Sequence, residues 1–311
     1  MMKHLDRIYV AGHTGFVGKN LLQALKKEGY KEVITKTHKE LDLKNQEDVM
    51  RFFREHQPQY VFICAAMVGG IGANIKNPFH FLLDNLRIQN NLIEGCMIYP
   101  SRTVFLGSSC IYPKDYKQPL KEEYLMEGPL EPTNEGYALA KIAGLKLCEF
   151  ANKRPGQKFI SLMPCNLYGP GDTFSLVRSH VLSALVKKIV DAKIFCKGTV
   201  EIWGTGKARR EFLYIDDLIN CMLWAINNLD KTNTFLNVGT GVDISIIELG
   251  EMIKEIVEWD GDFLFNPTKP DGMMLKRLDV TKINELGWRA KTSFRKGVEK
   301  TIECYRALQK I

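Results

Sequence analysis

Two groups of residues in this sequence could carry acid–base chemistry, and the first is the pair Tyr137 and Lys141. The pair lies in a stretch with helical periodicity, where four residues of spacing place both side chains on one face. An ammonium group close to a phenol stabilises the phenolate and lowers a tyrosine pKa that starts near 10. Tyr137 could therefore exchange a proton with a substrate oxygen near neutral pH. A lysine four residues after a tyrosine also arises by chance in a chain with 11 Tyr. The position of the pair relative to the other motifs therefore decides whether it indicates catalysis.

The second group follows an apolar stretch upstream of Tyr137, where the sequence reads Gly107, Ser108, Ser109 and Cys110. A serine hydroxyl at the end of a strand could hold the carbonyl oxygen that Tyr137 protonates. A thiol at the carboxyl end of a parallel strand could act as a base or a nucleophile. The alternative for Cys110 is an inert buried thiol.

His180 is a further candidate acid or base, early in a second helical pattern. A lone histidine is more often structural than catalytic. Cysteine, histidine, tyrosine and serine around one ligand would supply two proton-transfer systems, which is more than a simple reductase needs.

A glycine-rich turn precedes these groups in the chain, from Gly12 through Gly15 to Gly18. It follows a predicted strand at 8–11 and opens a predicted helix at 18–28. Glycines there allow backbone N–H groups to approach a pyrophosphate, which the helix N-terminus also favours. The spacing alone is a weak signal, but the strand–turn–helix setting predicts a dinucleotide site.

The residues after the second predicted strand bear on the choice of cofactor. NAD-binding proteins usually place a carboxylate there for the ribose 2′-hydroxyl. This chain has Lys36, His38 and Lys39, and its first carboxylate is Glu40. Basic residues suit a 2′-phosphate, so we expect NADPH. The alternative is a solvated basic turn without a ligand.

Short β-branched runs alternate with longer amphipathic stretches over the first 165 residues. Further strands are predicted at 33–35, 60–65, 103–106 and 159–163, and helices at 46–56, 78–99 and 134–151. This alternation predicts an α/β fold, a doubly wound parallel sheet with helices on both faces.

The rhythm changes after the cluster Tyr168-Gly169-Pro170-Gly171. Helices are predicted near 175–192 and 245–258, and strands at 200–203, 212–215, 235–238 and 263–265. We expect a dinucleotide-binding domain of residues 1–170 plus about 212–240. Residues 171–211 and 241–311 would form a smaller mixed α/β substrate domain.

Composition excludes several classes of protein. The chain has 311 residues, 45% hydrophobic and 25% charged, which is average for a globular protein. Its net charge of +7 comes without a basic run, so we expect no nucleic-acid partner and favour an anionic small ligand. The eight cysteines show no metal-ligand spacing and indicate reduced thiols, with no metal site. Without an apolar leader or a membrane span, we expect a cytoplasmic protein.

The motifs together resemble the extended short-chain dehydrogenase/reductases and, more narrowly, the GDP-L-fucose synthase family. The resemblance spans nearly the whole chain. The segments that carry it are 12–18, 68–71, 107–114, 131–135, 137–141, 166–170, 179–181, 210–212, 237–241 and 269–272.

The resemblance implies a role for each matching residue in reducing and epimerising a GDP-4-keto-6-deoxy sugar. Tyr137 would donate a proton to the C4 oxygen, with Lys141 as its electrostatic partner and Ser108 beside it. Cys110 and His180 would move protons on opposite faces at C3 and C5.

Two sets of binding residues follow from the same resemblance. The residues that would bind NADPH are Gly12, Thr14, Gly15, Phe16, Val17, Gly18, Lys36, His38, Leu41, Leu106, Gly107, Lys141, Pro164, Asn166, Leu167 and His180. Those that would bind the GDP-sugar are Ser109, Lys188, Trp203, Arg210, Asp271 and Lys276.

The chain departs from the family pattern at two positions that help to recognise the NADPH phosphate. Thr14 and His38 stand where relatives carry arginine, and Lys36 and Lys39 could compensate. Close relatives in bacterial capsule pathways act on GDP-4-keto-6-deoxy-heptoses, and some of them mainly reduce C4 and leave epimerisation to another enzyme. An NAD-retaining nucleotide-sugar 4-epimerase and a non-catalytic dinucleotide sensor are the remaining alternatives.

The resemblance also implies a homodimer, paired through two helices.

Overall fold

The computed structural model of the chain describes residues 1–176, 179–231, 235–269 and 271–309. Val177, Arg178 and Pro270, which fall in stretches discussed above, lie outside them. The strands are β1 Ile8–Ala11, β2 Val33–Ile34, β3 Tyr60–Ile63, β4 Arg102–Leu106, β5 Lys158–Pro164, β6 Asn166–Tyr168, β7 Thr199–Trp203, β8 Arg209–Tyr214, β9 Phe235–Val238, β10 Asp243–Ser245, β11 Asp262–Asn266 and β12 Leu275–Lys276. The helices are α1 Phe16–Lys27, α2 Gln46–His56, α3 Ile71–Lys76, α4 Pro78–Ile98, α5 Glu135–Ala151, α6 Val181–Ile194, α7 Ile215–Asn227, α8 Ile246–Val257, α9 Thr281–Glu285 and α10 Phe294–Gln309.

The large sheet has six parallel strands in the order β2-β1-β3-β4-β5-β9. All four residues of β1 and of β3 are buried, because helices cover both faces. Ile8 and Val10 pack into one apolar cluster, whereas Tyr9 and Ala11 pack into another. Alternate side chains point to opposite faces of a strand, so the predicted doubly wound α/β fold is confirmed.

The switch in strand order falls beside β1, since β2 lies on one side of it and β3 on the other. Ligands of open parallel sheets bind outside the carboxyl ends of the strands at such a switch. The glycine-rich turn follows β1 at this point. The topology therefore places the predicted dinucleotide site there.

Two smaller sheets lie in the second half of the chain. The central strand β8 pairs with β10, β12 and β6, and β7 pairs with β11 in parallel. Within the stretch 212–240, β9 joins the large sheet and α7 contacts β4 and β5, whereas residues 212–214 belong to β8.

The close approach of α5 to the large sheet depends on Gly144. A β-carbon at Gly144 would lie 2.5 Å from Phe105 Cζ and 2.9 Å from the Gln89 side chain. Gln89 of α4 also donates to the Ala140 carbonyl at 2.5 Å, which fixes α4 against α5. Because Gly144 has no side chain, α5 can pack directly against β4.

We expect Gly144→Ala to lower the free energy of unfolding by about 1–3 kcal/mol, because the new methyl group overpacks a closed interface. The matched control is Gly72→Ala in α3, where a β-carbon would meet no atom within 4 Å. That change should raise stability by up to about 1 kcal/mol. Thermal unfolding of both variants measures the difference, and equal stabilisation by the two would contradict the packing argument.

Candidate active site

The glycine-rich turn forms a cradle at the start of α1. Gly12 has φ +84°, and a β-carbon there would lie 2.7 Å from the Ala65 backbone. Gly15 caps α1 without a side-chain hydrogen bond, and the first turn of that helix holds no acidic residue. At Gly18 a β-carbon would meet the Gly12 carbonyl oxygen at 2.2 Å. The open helix N-terminus and the bare backbone fit a pyrophosphate, with Thr14, Phe16 and Val17 in the same turn.

The turn after β2 presents basic residues. Lys36 is partly buried, His38 and Lys39 are exposed, and Leu41 is buried beneath the turn. Glu40 is bound within the turn, because it accepts hydrogen bonds from the Thr37 backbone N–H and hydroxyl, both at 2.7 Å. These bonds lower the pKa of the Glu40 carboxyl. The first carboxylate after β2 is thus engaged by the turn itself, and the second, Asp42, lies with its Oδ1 3.7 Å from His38 Nδ1. Lys36 and Lys39 are the basic side chains that the turn leaves for a ribose phosphate.

Lys141 lies inside the protein at the end of β4. Its Nζ donates to the Leu106 carbonyl oxygen at 2.8 Å and lies 4.9 Å from the Phe105 ring centre. The same Nζ lies 5.6 Å from the Tyr137 ring centre. Burial lowers the pKa of Lys141 to about 8. Burial also raises the pKa of the Tyr137 phenol, so the lowered tyrosine pKa predicted from the sequence is wrong. Near neutral pH the pair is therefore a protonated phenol beside an ammonium group.

Cys110 lies in a short 3₁₀ turn, Ser109–Ile111, directly beyond β4 and Gly107. Ser108 caps this turn by accepting from the Cys110 backbone N–H at 3.3 Å. Burial raises the pKa of the Cys110 thiol, while Lys276, Ser108 and Lys141 act in the opposite direction. The structure thus brings together the thiol, the Tyr137–Lys141 pair and Lys276 from the second half of the chain.

His180 caps the N-terminus of α6 and is exposed. The predicted helix at 175–192 is wrong at its start, because α6 begins at Val181. Ahead of this helix, Asp172 is 9% exposed and accepts hydrogen bonds from the Ser183 hydroxyl in the first turn of α6 and from the Thr173 backbone N–H. Within the described part of the chain, no hydrogen bond or ion pair joins His180 to Cys110 or Tyr137.

Five of the residues that would bind the GDP-sugar fall into two groups, and the sixth, Ser109, is buried in the 3₁₀ turn with Cys110. Lys188 and Trp203 form an outer group, with Lys188 Nζ 5.9 Å from the Trp203 ring centre and 2.8 Å from the Glu201 carbonyl oxygen. Trp203 is 50% exposed, and Lys269 Nζ also lies 5.4 Å from its ring centre.

Arg210, Asp271 and Lys276 form an inner group. Arg210 donates to the Asp271 carbonyl oxygen at 2.9 Å and to that of Met273. The Asp271 carboxylate binds the Thr205 backbone N–H at 2.8 Å and hydroxyl at 3.1 Å, so it already has partners within the protein. Burial lowers the pKa of both Arg210 and Lys276. An anionic ligand would stabilise these two cations.

The end of β5 supplies the remaining cofactor candidates. Pro164 is buried, and Asn166 and Leu167 of β6 are partly buried. The Asn166 side chain donates to the Glu211 carbonyl oxygen at 2.8 Å. Asn166 therefore links the cofactor side to β8.

Sequence reasoning missed several buried polar residues around the site. Glu211 and Asn237 are 0% exposed, and Glu131 is 9% exposed with its Oε2 3.7 Å from Lys114 Nζ. Glu211 lies between Arg210 and the apolar run 212–214. A carboxylate directly beside an apolar strand run is the signal that could have revealed it.

All eight cysteines lie in the described residues, and all are free thiols. Within the same residues, no three His, Cys, Asp or Glu side chains form a group that could hold a metal ion. No described helix is long and apolar enough to cross a membrane.

The fold, the glycine turn and the Tyr137–Lys141 pair define the class of extended short-chain dehydrogenase/reductases. Residues 8–239 match the NAD dependent epimerase/dehydratase family. The GDP-L-fucose synthase of Sinorhizobium fredii is 45% identical over 300 residues, which cover 96% of this chain and 95% of that protein. The chain belongs to the NAD dependent epimerase/dehydratase family and, within it, to the GDP-L-fucose synthase group.

Two solved structures from Campylobacter jejuni are similar over almost the whole chain. A GDP-6-OMe-4-keto-L-xylo-heptose reductase has a TM-score of 0.94 and 37% identity, with 99% of both chains covered. A GDP-mannoheptose C4 reductase with NADP bound has a TM-score of 0.91 and 37% identity, with 98% of this chain and 100% of that chain covered.

Proposed function

We propose that this protein is an NADPH-dependent reductase of the C4 carbonyl of a GDP-4-keto-6-deoxy sugar, and also its 3,5-epimerase. The substrate would be GDP-4-keto-6-deoxy-D-mannose and the product GDP-L-fucose. The observation that carries the proposal is the cluster at the end of β4, where Cys110 lies with Tyr137 and Lys141 beside the cations of the inner group. A simple ketoreductase would need only the tyrosine and lysine.

The cradle of Gly12, Gly15 and Gly18 fits the pyrophosphate of NADPH, and Lys36 and His38 lie where the 2′-phosphate would be recognised. When bound there, NADPH would supply the hydride for reduction at C4 of the sugar. The basic turn and the engaged Glu40 favour NADPH over NADH.

Tyr137 performs the proton transfer that accompanies reduction. Burial keeps its phenol protonated, so it donates the hydrogen bond and then the proton to the C4 oxygen. Lys141, held by the Leu106 carbonyl, stabilises the phenolate that remains. Ser108 supports the same oxygen. The inner group, Arg210 and Lys276, faces the anionic diphosphate of the substrate.

Epimerisation needs a base on one face of the sugar ring and an acid on the other. We assign the base to Cys110 and the acid to His180. Lys276 and Lys141 favour the thiolate at Cys110 against the effect of burial. An enolate formed at C4 would be stabilised by Ser108 and Tyr137.

A second candidate is a GDP-4-keto-6-deoxy-heptose C4 reductase of capsule biosynthesis with little epimerase activity. The close similarity to two heptose reductases favours it. Product analysis by NMR and mass spectrometry, from hexose and heptose 4-keto substrates, separates the two candidates. An NAD-retaining 4-epimerase would instead leave NADPH unconsumed.

We also propose two domains and a cytoplasmic location. The cofactor domain comprises residues 1–170 plus about 212–240, and the GDP-sugar domain comprises 171–211 and 241–311. The division is supported by the separate sheets, with two exceptions, since residues 212–214 belong to β8 and β6 at 166–168 pairs with that strand.

A homodimer is supported by apolar side chains left exposed on two packed helices. Phe79 and Ile98 on α4 are exposed, as are Leu139, Leu147 and Phe150 on α5. Monomeric proteins in water seldom leave a large contiguous apolar surface exposed. We propose that a second copy of the chain covers it with the same two helices.

Replacing Tyr137 by Phe should lower the rate of NADPH oxidation by about 10²–10⁴-fold, because the proton donor is lost. NADPH affinity, measured by fluorescence titration, should stay unchanged. Tyr99→Phe at the end of α4 is the matched control and should keep full activity. Full activity of Tyr137→Phe would remove this residue from the mechanism.

Wild-type enzyme should incorporate solvent deuterium at C3 or C5 of the 4-keto sugar without NADPH. Cys110→Ser should reduce this exchange by about 10² or more, because the base is lost. The exposed Cys196 offers a control, Cys196→Ser, that should exchange normally. No deuterium uptake by the wild type with either hexose or heptose would show a reductase without epimerase activity.

The variant carrying Leu147→Glu and Phe150→Glu should be monomeric in sedimentation velocity, at the 35.5 kDa of one chain. Charges buried in a helix interface destabilise it. Leu5→Glu, at an exposed site outside the two helices, should leave the dimer intact. A wild-type protein that sediments as a monomer contradicts the proposal.

A further inference from the structure

Glu211 is a buried carboxylate that accepts hydrogen bonds from three backbone N–H groups. Its Oε1 accepts from Thr240 at 2.6 Å and from Gly241 at 2.7 Å. Its Oε2 accepts from Leu278 at 2.7 Å. The side chain is 0% exposed, so these backbone groups have no water to replace the carboxylate.

The three N–H groups belong to two segments that are distant in the chain. Thr240 and Gly241 follow β9, the edge strand of the large sheet, and Leu278 follows β12 of the smaller sheet. A β-carbon at Gly239 would lie 2.1 Å from Glu211 Oε1, so the first segment approaches the carboxylate as only glycine allows. Glu211 thus joins the ends of the two sheets.

The segment that ends at Leu278 carries Lys276 of the proposed site, and Arg210 and Asn166 lie beside Glu211. Arg210, the neighbour of Glu211, binds the carbonyl oxygen of Asp271 at 2.9 Å and pairs with Lys276 in the β8–β12 ladder. On the cofactor side, Asn166 donates to the Glu211 carbonyl oxygen at 2.8 Å. A shift at Glu211 would therefore move the inner group relative to the cofactor.

The three backbone N–H donors around Glu211 require a carboxylate as their acceptor. Burial raises the pKa of the Glu211 carboxyl, while the three N–H groups and Arg277 act in the opposite direction. A carboxylate offers only acceptors, whereas glutamine would direct an N–H group at one of the backbone donors.

We propose that Glu211 is a positioning residue that holds the GDP-binding segment 271–278 at a fixed place relative to the cofactor. It acts through Arg210 and Lys276 and does not itself touch the ligand. The proposal rests on the proposed function in one respect, namely that the inner group binds a GDP-linked sugar.

Calorimetric titration of GDP into the enzyme saturated with NADP⁺ tests the proposal. In Glu211→Gln the GDP dissociation constant should rise about tenfold or more, as expected when one buried N–H group loses its acceptor. The NADP⁺ dissociation constant should stay unchanged. Glu211→Asp keeps two acceptor oxygens on a shorter arm and should recover part of the GDP affinity.

Asp217 provides a matched control for the loss of a buried carboxylate. It is 6% exposed and accepts from the backbone N–H groups of Lys291 at 3.1 Å and Thr292 at 3.0 Å, none of which belongs to the site. Asp217→Asn should lower the melting temperature yet leave GDP affinity unchanged. Equal GDP affinity in folded Glu211→Gln and wild type, or an equal loss in Asp217→Asn, would overturn the proposal.

Amide hydrogen exchange separates this inference from the proposed function. Glu211→Gln should speed exchange at Thr240, Gly241 and Leu278, whatever the ligand. Unchanged exchange rates at these three amides would show that Glu211 does not hold the two segments together. A wild-type protein that fails to bind GDP would instead refute the proposed function.

Discussion

The site depends on one buried ammonium group, that of Lys141. An ammonium group removed from water needs a strong acceptor, and the Leu106 carbonyl at 2.8 Å supplies it. That bond requires α5 to lie against the end of β4, which in turn requires Gly144 at the contact with Phe105. Tyr137 lies one helical turn from Lys141 on α5, so the packing of α5 against β4 also places the phenol at the carboxyl edge of the sheet. The position of the reacting group therefore follows from how one cation is accommodated.

Positive charge is concentrated where the two parts of the site meet. Arg210 and Lys276 have pKa values lowered by burial, as Lys141 does. Cations held partly out of water are stabilised by an anion between them. This arrangement suits a diphosphate-linked substrate, and Lys276 and Lys141 offset part of the burial that raises the pKa of the Cys110 thiol.

The sequence predicted the large sheet well because its strands are buried on both faces. Helix α2, at 46–56, has the predicted bounds, since Asn45 caps it and Gln57 ends it in a left-handed conformation. Helices α3, α7, α9 and α10 and the short strands β6, β10 and β12 were not predicted. Strands of two or three residues are defined by long-range pairing to β8, and such short segments carry no periodicity of their own.

Local sequence identified the candidate chemistry but not its neighbours. Tyr137, Lys141 and Cys110 could be singled out because their spacing and their place after a strand carry meaning. Their relation to Lys276 could not, because it depends on how β12 pairs with β8 far along the chain. The partner of Asp271 could not be predicted either, because no motif indicates that its carboxylate accepts a hydrogen bond from Thr205.

The central claim is that this site reduces a GDP-linked 4-keto sugar with NADPH. The most direct measurement is the absorbance at 340 nm when GDP-4-keto-6-deoxy-D-mannose, or its heptose counterpart, is added to enzyme with NADPH. The account predicts an absorbance decrease that matches the sugar consumed, mole for mole, with at least one of the two substrates. Constant absorbance with both substrates, in a protein that binds NADPH and GDP, would contradict it.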